Sequence, residues 1–412
     1  MSRRTKVVLT CAVVCLLTLH VDLSALEGGS WVGKKVIRKT SDDVRISYTD
    51  EHDRQVDLGT LKRVDYAVLK DQGAWVMVRD RGVEGWALKE KFVLVEDAPA
   101  YFTQRIRNDP GDAVAWFHRG YAWIEKDEWD SAIRDFTEAI RLDPKVPQPY
   151  NARGSAYKNK KDYDRAITDY NEAIRLDPKD VANYNNRGNA YHRKKDYDRA
   201  IADYNEALRL DPKDASVYSN RGTAYHYKKD YDRAIADYTE GIRLDPKDAI
   251  GYKNRGTSYH HKYDYDRAIA DYTEGIRLDP KHAETYKNRG MAFENKKEHD
   301  RAIADYTEAI RLDPKDAKAY NYRGIAYANK KDYDRAIADF NEAIRLDPKL
   351  ADAFYNNGCC YALLGKKGLA IENLEKSLEL GYRDFKHMEK DSDLDSIRDD
   401  SRYKKLLEKY AK

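Results

Sequence analysis

Proline spacing constrains this chain more than any other feature. Pro110, Pro144, Pro178, Pro212, Pro246, Pro280, Pro314 and Pro348 recur every 34 residues. A fixed period in that range marks a stack of small supersecondary units, each unable to bury its apolar face alone. With position 1 at Ala113, repeats begin at residues 113, 147, 181, 215, 249, 283, 317 and 351. Position 8 is Gly in all eight, from Gly120 to Gly358, and position 20 is Ala in all eight, from Ala132 to Ala370. Position 24 is aromatic in seven, from Phe136 to Phe340.

Each unit carries two apolar stripes at helical spacing, such as Tyr184, Gly188 and Tyr191, then Ala200, Ile201, Tyr204 and Leu208. A polar turn, here Lys194-Lys195-Asp196, separates them. The pattern predicts a helix-turn-helix hairpin with small residues where the helices approach and large ones beside them. Composition fits a thin, renewed core. The 412 residues are 36% charged with a mean hydropathy of −0.89, too polar for one large core. Yet they include 33 tyrosines, far more than a solvated tail carries. Positions 4, 11, 17 and 24 account for 22 of these, which assigns the excess to packing within and between repeats. Lys+Arg 75 against Asp+Glu 72 argues against a nucleic-acid partner.

The Gly, Ala, aromatic and Pro positions together resemble the tetratricopeptide repeat (TPR) family across 113–384. The resemblance implies a mainly α fold, a right-handed TPR α-solenoid, without catalysis and with a protein or peptide partner in a groove. Arg at position 7 and Asp at position 23 occur together in repeats one to seven and change together in the eighth, to Asn357 and Asn373. The joint change predicts a structural Arg–Asp pair. Residues 98–110 read as a linking half-repeat helix, and 385–412 as a polar C-terminal capping helix.

Two segments precede the array. Residues 1–25 order Arg3, Arg4 and Lys6, an apolar run from Val7 to Val21, then Ser24 and Ala25, as a secretory signal peptide does. The run is shorter than the roughly 20 residues a span needs, so cleavage is expected, with membrane anchoring if the leader is retained. Localisation is therefore expected to be exported, in a bacterial periplasm or outside the cell, with no span after cleavage. Residues 30–96 show short alternating runs separated by turn signals, which predict a small antiparallel barrel. The Gly73-Ala74-Trp75-Val76-Met77-Val78 and Glu84-Gly85-Trp86 motifs resemble the bacterial SH3-like family. That resemblance implies contact with cell-wall material or peptide; the competing reading keeps Trp75 and Trp86 as packing residues.

Catalytic signatures are missing: no phosphate-binding glycine loop, zinc-protease helix or nucleophile elbow occurs. Cys11, Cys15, Cys359 and Cys360 show no metal-ligand spacing, so no cofactor, metal or disulfide framework is expected. Neighbouring Cys359 and Cys360 are expected to face the groove and the packing surface, one each. In the TPR resemblance, positions 2, 5, 6, 9, 12 and 13 line the groove. They place Asn186, Asn220, Asn254 and Asn288 at position 6, Lys253 and Lys287 at position 5, and Lys318 at position 2. Asn356 extends the same amide series into the last repeat. Amides suit an extended peptide backbone, and the lysines suit a carboxylate. Lys253, Asn288 and Lys318 match three places of the family's carboxylate clamp, while Thr257 and Tyr322 replace the other two. His192, His226 and His260 fall at position 12 of successive repeats, which predicts a groove that gains charge below about pH 6.5. The functional expectation is a non-catalytic exported interaction scaffold. The alternatives are a purely structural envelope component and an accessory subunit of a cell-wall enzyme.

Overall fold

The computed structural model describes residue 32 and residues 34–39, 45–49, 55–60, 65–72, 74–80 and 83–410. The leader expected at 1–25 lies outside them, as do the side chains of Trp75 and of the strands at 45–49 and 55–60. The chain divides into two compact units, Met1–Lys161 and Asp162–Lys412.

The first unit opens with seven strands: β1 Lys35–Arg38, β2 Arg45–Thr49, β3 Gln55–Thr60, β4 Asp65–Gln72, β5 Trp75–Asp80, β6 Val83–Leu88 and β7 Phe92–Leu94. All pairings are antiparallel, in the order β3-β2-β6-β5-β4-β1-β7. Alternation of side chains along a strand decides what each face does. Val36, Tyr66, Val68, Val76, Val78, Ala87, Phe92 and Leu94 form a core on one side. Their neighbours Ile37 and Val93 point the other way and pack with Ala98, Phe102, Ile106, Ala115 and Ala122. Helix Ala98–Asn108 thus sits in the place a preceding repeat's second helix would fill, against helix Ala113–Ile124. Helices Trp129–Leu142 and Pro147–Asn159 complete this unit.

The second unit is a run of helix hairpins, beginning with Tyr163–Leu176 and ending with Ala351–Leu363 and Lys367–Glu379. First helices occupy positions 1–13 and second helices positions 17–30, as in Val181–Arg193 and Tyr197–Leu210. The glycine at position 8 is required by contact. A Cβ at Gly188 would lie 2.7 Å from the Tyr204 ring, and one at Gly324 2.6 Å from Phe340. Turn acids act as caps: Asp196 and Asp230 accept from the amides of Arg199 and Arg233, and Asp214 and Asp316 accept at the next first helix. Between the helices, position 15 is left-handed, with φ near +63° at Lys161, Lys229 and Lys331 and +70° at Gly365.

Charge is organised as ladders. Arg187, Arg221, Arg255, Arg289 and Arg323 each donate twice to the buried Asp at position 23 of the same repeat, at 2.6–2.8 Å. Each also donates to Thr or Asn at position 25 of the preceding repeat, as Arg255 does to Thr239 at 3.1 Å. In the last repeat the three-way contact persists in neutral form, with Asn357 donating to Asn341 at 2.9 Å and Asn373 at 3.3 Å. The first lysine of the turn pairs with Asp at position 18 of the preceding repeat, for example Lys228 with Asp198 and Lys262 with Asp232. One of the two turn lysines is therefore engaged in joining repeats.

At the C-terminus the expected single capping helix is instead helix Phe385–Lys390, a 3-10 turn Ser392–Ile397 and helix Ser401–Tyr410. Capping side chains divide it: Asp391 accepts from Asp393 at 3.0 Å and Asp400 from Arg402 at 2.9 Å. Met388, Leu394, Ile397, Tyr403 and Leu406 bury against Leu374 and Leu378 of the last hairpin. No described helix is long and apolar enough to cross a membrane.

Candidate functional site

The candidate site is the face formed by positions 2, 5, 6, 9, 12 and 13 of the first helices in the second unit. Part of its polar inventory is spent within the protein. Asn220 donates to Asn185 of the preceding repeat at 3.0 Å, and Asn356 donates to Asn321 at 3.1 Å. Each such amide keeps its carbonyl oxygen for another donor. Position 9 is largely engaged by the tyrosine beneath it: the Tyr204 hydroxyl donates to Asn189 at 2.8 Å and Tyr238 to Thr223 at 3.0 Å. Asn186 lies half-buried at its place on this face.

The cations divide unequally. Lys253 pairs with Glu284 at 3.3 Å, and Lys287 pairs with Asp316 at 2.5 Å. Lys318 is exposed, and its ammonium makes no ion pair among the described residues. The amides of Asn254 and Asn288 are half-buried and likewise make no side-chain hydrogen bond there. Thr257 and Tyr322, at the other two clamp places, serve packing. Thr257 donates to the Lys253 carbonyl at 2.9 Å, and Tyr322 lies 5.9 Å from the Tyr306 ring. Of the expected positive groove segment, what remains available is Lys318 with Asn254 and Asn288.

The histidines behave differently from the sequence expectation. His226 shares a 2.9 Å hydrogen bond with Ser258, and His260 one of 3.1 Å with Asn295. Burial, followed by the neighbouring His261, lowers His226 to about 4 and His260 also downward. Burial and then Arg193 lower His192, whose buried Nε2 has no hydrogen-bond partner. His226 thus stays neutral well below pH 6.5, and burial holds His192 and His260 below their ordinary value as well, opposing the expected gain of charge.

Positions 13 and 17 add what sequence reasoning missed. Tyr197 stacks on Tyr227 at 5.7 Å and 10°, and Tyr231 on His261 at 5.2 Å and 4°. His192, His226 and His260 each lie edge-on or tilted against the tyrosine of their own turn at 5.3 Å. The result is an aromatic ribbon across repeats three to five, with Tyr227 exposed along it. Its signal was the aromatic residue at position 13 of two successive repeats.

Cys359 and Cys360 are both buried, correcting the expected division between groove and core. Cys360 packs with Ala336 and Phe340, and Cys359 with the C-terminal cap.

Family models described as TPR repeat and tetratricopeptide repeat match residues 113–146, 154–195, 188–229, 215–248, 262–317, 287–351 and 323–381, more than half of the chain. No curated protein matches. Among solved structures, YrrB, described as a TPR protein with an unusual peptide-binding site, is 24% identical over 45% of this chain and 95% of its own, with a TM-score of 0.39. MamA is 27% identical over 42% of this chain and 93% of its own, with a TM-score of 0.39. A tetratricopeptide repeat protein from Parabacteroides merdae is 20% identical over 64% and 97%, with a TM-score of 0.47.

Proposed function

Because this chain belongs to the tetratricopeptide repeat family, whose models match more than half of it, we propose that it is a non-catalytic exported scaffold that binds an extended peptide or partner protein on its first-helix face. The observation that carries this reading is the separation of roles on that face. The Arg–Asp ladder and the capping acids hold the hairpins together, while Asn254, Asn288 and Lys318 in repeats five to seven keep their polar groups available. Two amides and one ammonium suit a peptide backbone with a carboxylate near its end. The ribbon along repeats three to five would supply flat apolar area for the rest of the segment.

Export rests on the charged, apolar and small-residue order of 1–25. The SH3-like assignment of 30–96 rests on its tryptophan motifs, and contact with envelope material or positioning of the array is the role proposed for it.

The test is selection from a library of peptides with free C-terminal carboxylates, followed by affinity measurement on a combined Asn254→Ala, Asn288→Ala and Lys318→Glu variant. At least tenfold weaker binding with an unchanged thermal midpoint is the expected result. Undiminished affinity for the selected peptides removes this face as the binding site.

A further inference from the structure

At the end of the first-helix face, where the C-terminal cap covers the last repeat, one cluster brings together side chains that the sequence keeps far apart. Cys359 lies in the first helix of the last repeat, whereas Asp391 and Asp393 lie at the start of the 3-10 turn in the C-terminal cap. A ligand atom from each of the three lies within 4.8 Å of the others. His387 joins from helix Phe385–Lys390, its Nε2 3.6 Å from Asp391 Oδ2. Its side chain is half exposed.

The charge balance of this cluster is incomplete. Asp391 is only 12% exposed, and Asp393 lies half-buried beside it. Among the described residues no lysine or arginine pairs with either carboxylate. The nearby Arg398 is committed to Asp395 and to the backbone carbonyls of Glu389 and Asp391. Arg383 is committed to the carbonyls of Leu378 and Tyr382. Two adjacent, partly desolvated carboxylates beside a buried thiol call for a cation.

The chemistry of the donors selects its class. One thiol, one imidazole and two carboxylates are ligands for a zinc-like ion, with bonds of about 2.0–2.3 Å. An outer layer is already in place: the Tyr355 hydroxyl donates to Asp391 Oδ2 at 2.5 Å and its ring stacks on Tyr382 at 4.4 Å. We propose that Cys359, His387, Asp391 and Asp393 form a binding site for one divalent transition-metal ion of the zinc class, which fastens the C-terminal cap to the last repeat. On binding, a metal–sulfur bond replaces the thiol S–H bond and the proton leaves to solvent.

The full chain, stripped of metal and kept reduced, is titrated with Co2+ alone and followed by its thiolate-to-metal charge-transfer absorbance. One equivalent is expected to develop the band, and Zn2+ to displace it. Cys359→Ser should abolish the band, Cys360→Ser should retain it, and Asp393→Asn and His387→Ala should each weaken Co2+ binding about tenfold or more. Both latter positions are only partly buried or exposed, so these variants keep the test open if Cys359→Ser does not fold. In parallel, Zn2+ should raise the thermal midpoint of the parent chain and not that of Asp393→Asn. Absence of the band, or a band unchanged in Cys359→Ser, Asp393→Asn or His387→Ala, overturns the proposal.

Discussion

Asp271 sits 9% exposed beneath Arg255, which donates to both of its carboxylate oxygens and reaches Thr239 of the preceding repeat as well. Removing the guanidinium leaves a buried carboxylate without its counter-charge, a change that costs about 3–5 kcal/mol for a fully buried pair. Arg255 keeps 17% exposure, so the lower end of that range applies. Arg255→Ala should therefore lower the thermal or denaturant midpoint clearly, while peptide affinity at the native temperature stays unchanged. The reverse pattern, lost affinity with unchanged stability, would place Arg255 in the binding face. A double change, Arg255→Asn with Asp271→Asn, reproduces the arrangement found at Asn357 and Asn373 and should be less harmful than Arg255→Ala. This pair was readable from one chain because eight copies let two positions change together. The partners of Lys253 and Lys287 were not readable in that way. Glu284 and Asp316 lie 31 and 29 residues away, and Lys occupies position 5 in only those two repeats, so no covariation links them.

At the scale of the hairpin, the turn carries a conformational cost that apolar periodicity does not reveal. Position 15 takes φ near +63° while holding lysine in most repeats. Left-handed backbone costs a non-glycine residue roughly 1–2 kcal/mol, because Cβ crowds the following carbonyl. The last repeat places Gly365 at this position, with φ +70°. Lys229→Gly should thus stabilise the chain by about 0.5–1 kcal/mol, once the greater freedom of glycine in the unfolded state is deducted. The inter-repeat pair to Asp198 is made by Lys228 and survives this substitution. A fall in the urea midpoint of Lys229→Gly would contradict the strain argument. Helix boundaries were legible because caps, apolar stripes and Gly188-type contacts repeat every 34 residues. The C-terminal pieces were not, since 385–410 belongs to no repeat and is divided by local caps at Asp391 and Asp400.

For the whole molecule, the sequence makes clear which segments are interchangeable and which are unique. Internal repeats bury the same kinds of faces against their neighbours, so a repeat array is stabilised by near-additive nearest-neighbour contacts. Deleting residues 215–248 joins Asp214 to Ala249 in the same register and should give a folded chain with a lower midpoint. The C-terminal cap has no such substitute. Met388, Leu394, Ile397, Tyr403 and Leu406 are buried over Leu374 and Leu378 of the last hairpin. Deleting residues 385–412 exposes that apolar face and should produce self-association, because exposed apolar surface of this kind seeks a partner. Light scattering on the two deletions distinguishes the effects: the internal deletion should remain at the parent's oligomeric state, and the cap deletion should shift to larger species. A cap deletion that keeps the parent's oligomeric state and midpoint would mean that the last hairpin is sufficient without cover. The large cluster around Leu374 argues against that outcome, as does the placement of Cys359, Asp391 and Asp393 on both sides of the same junction.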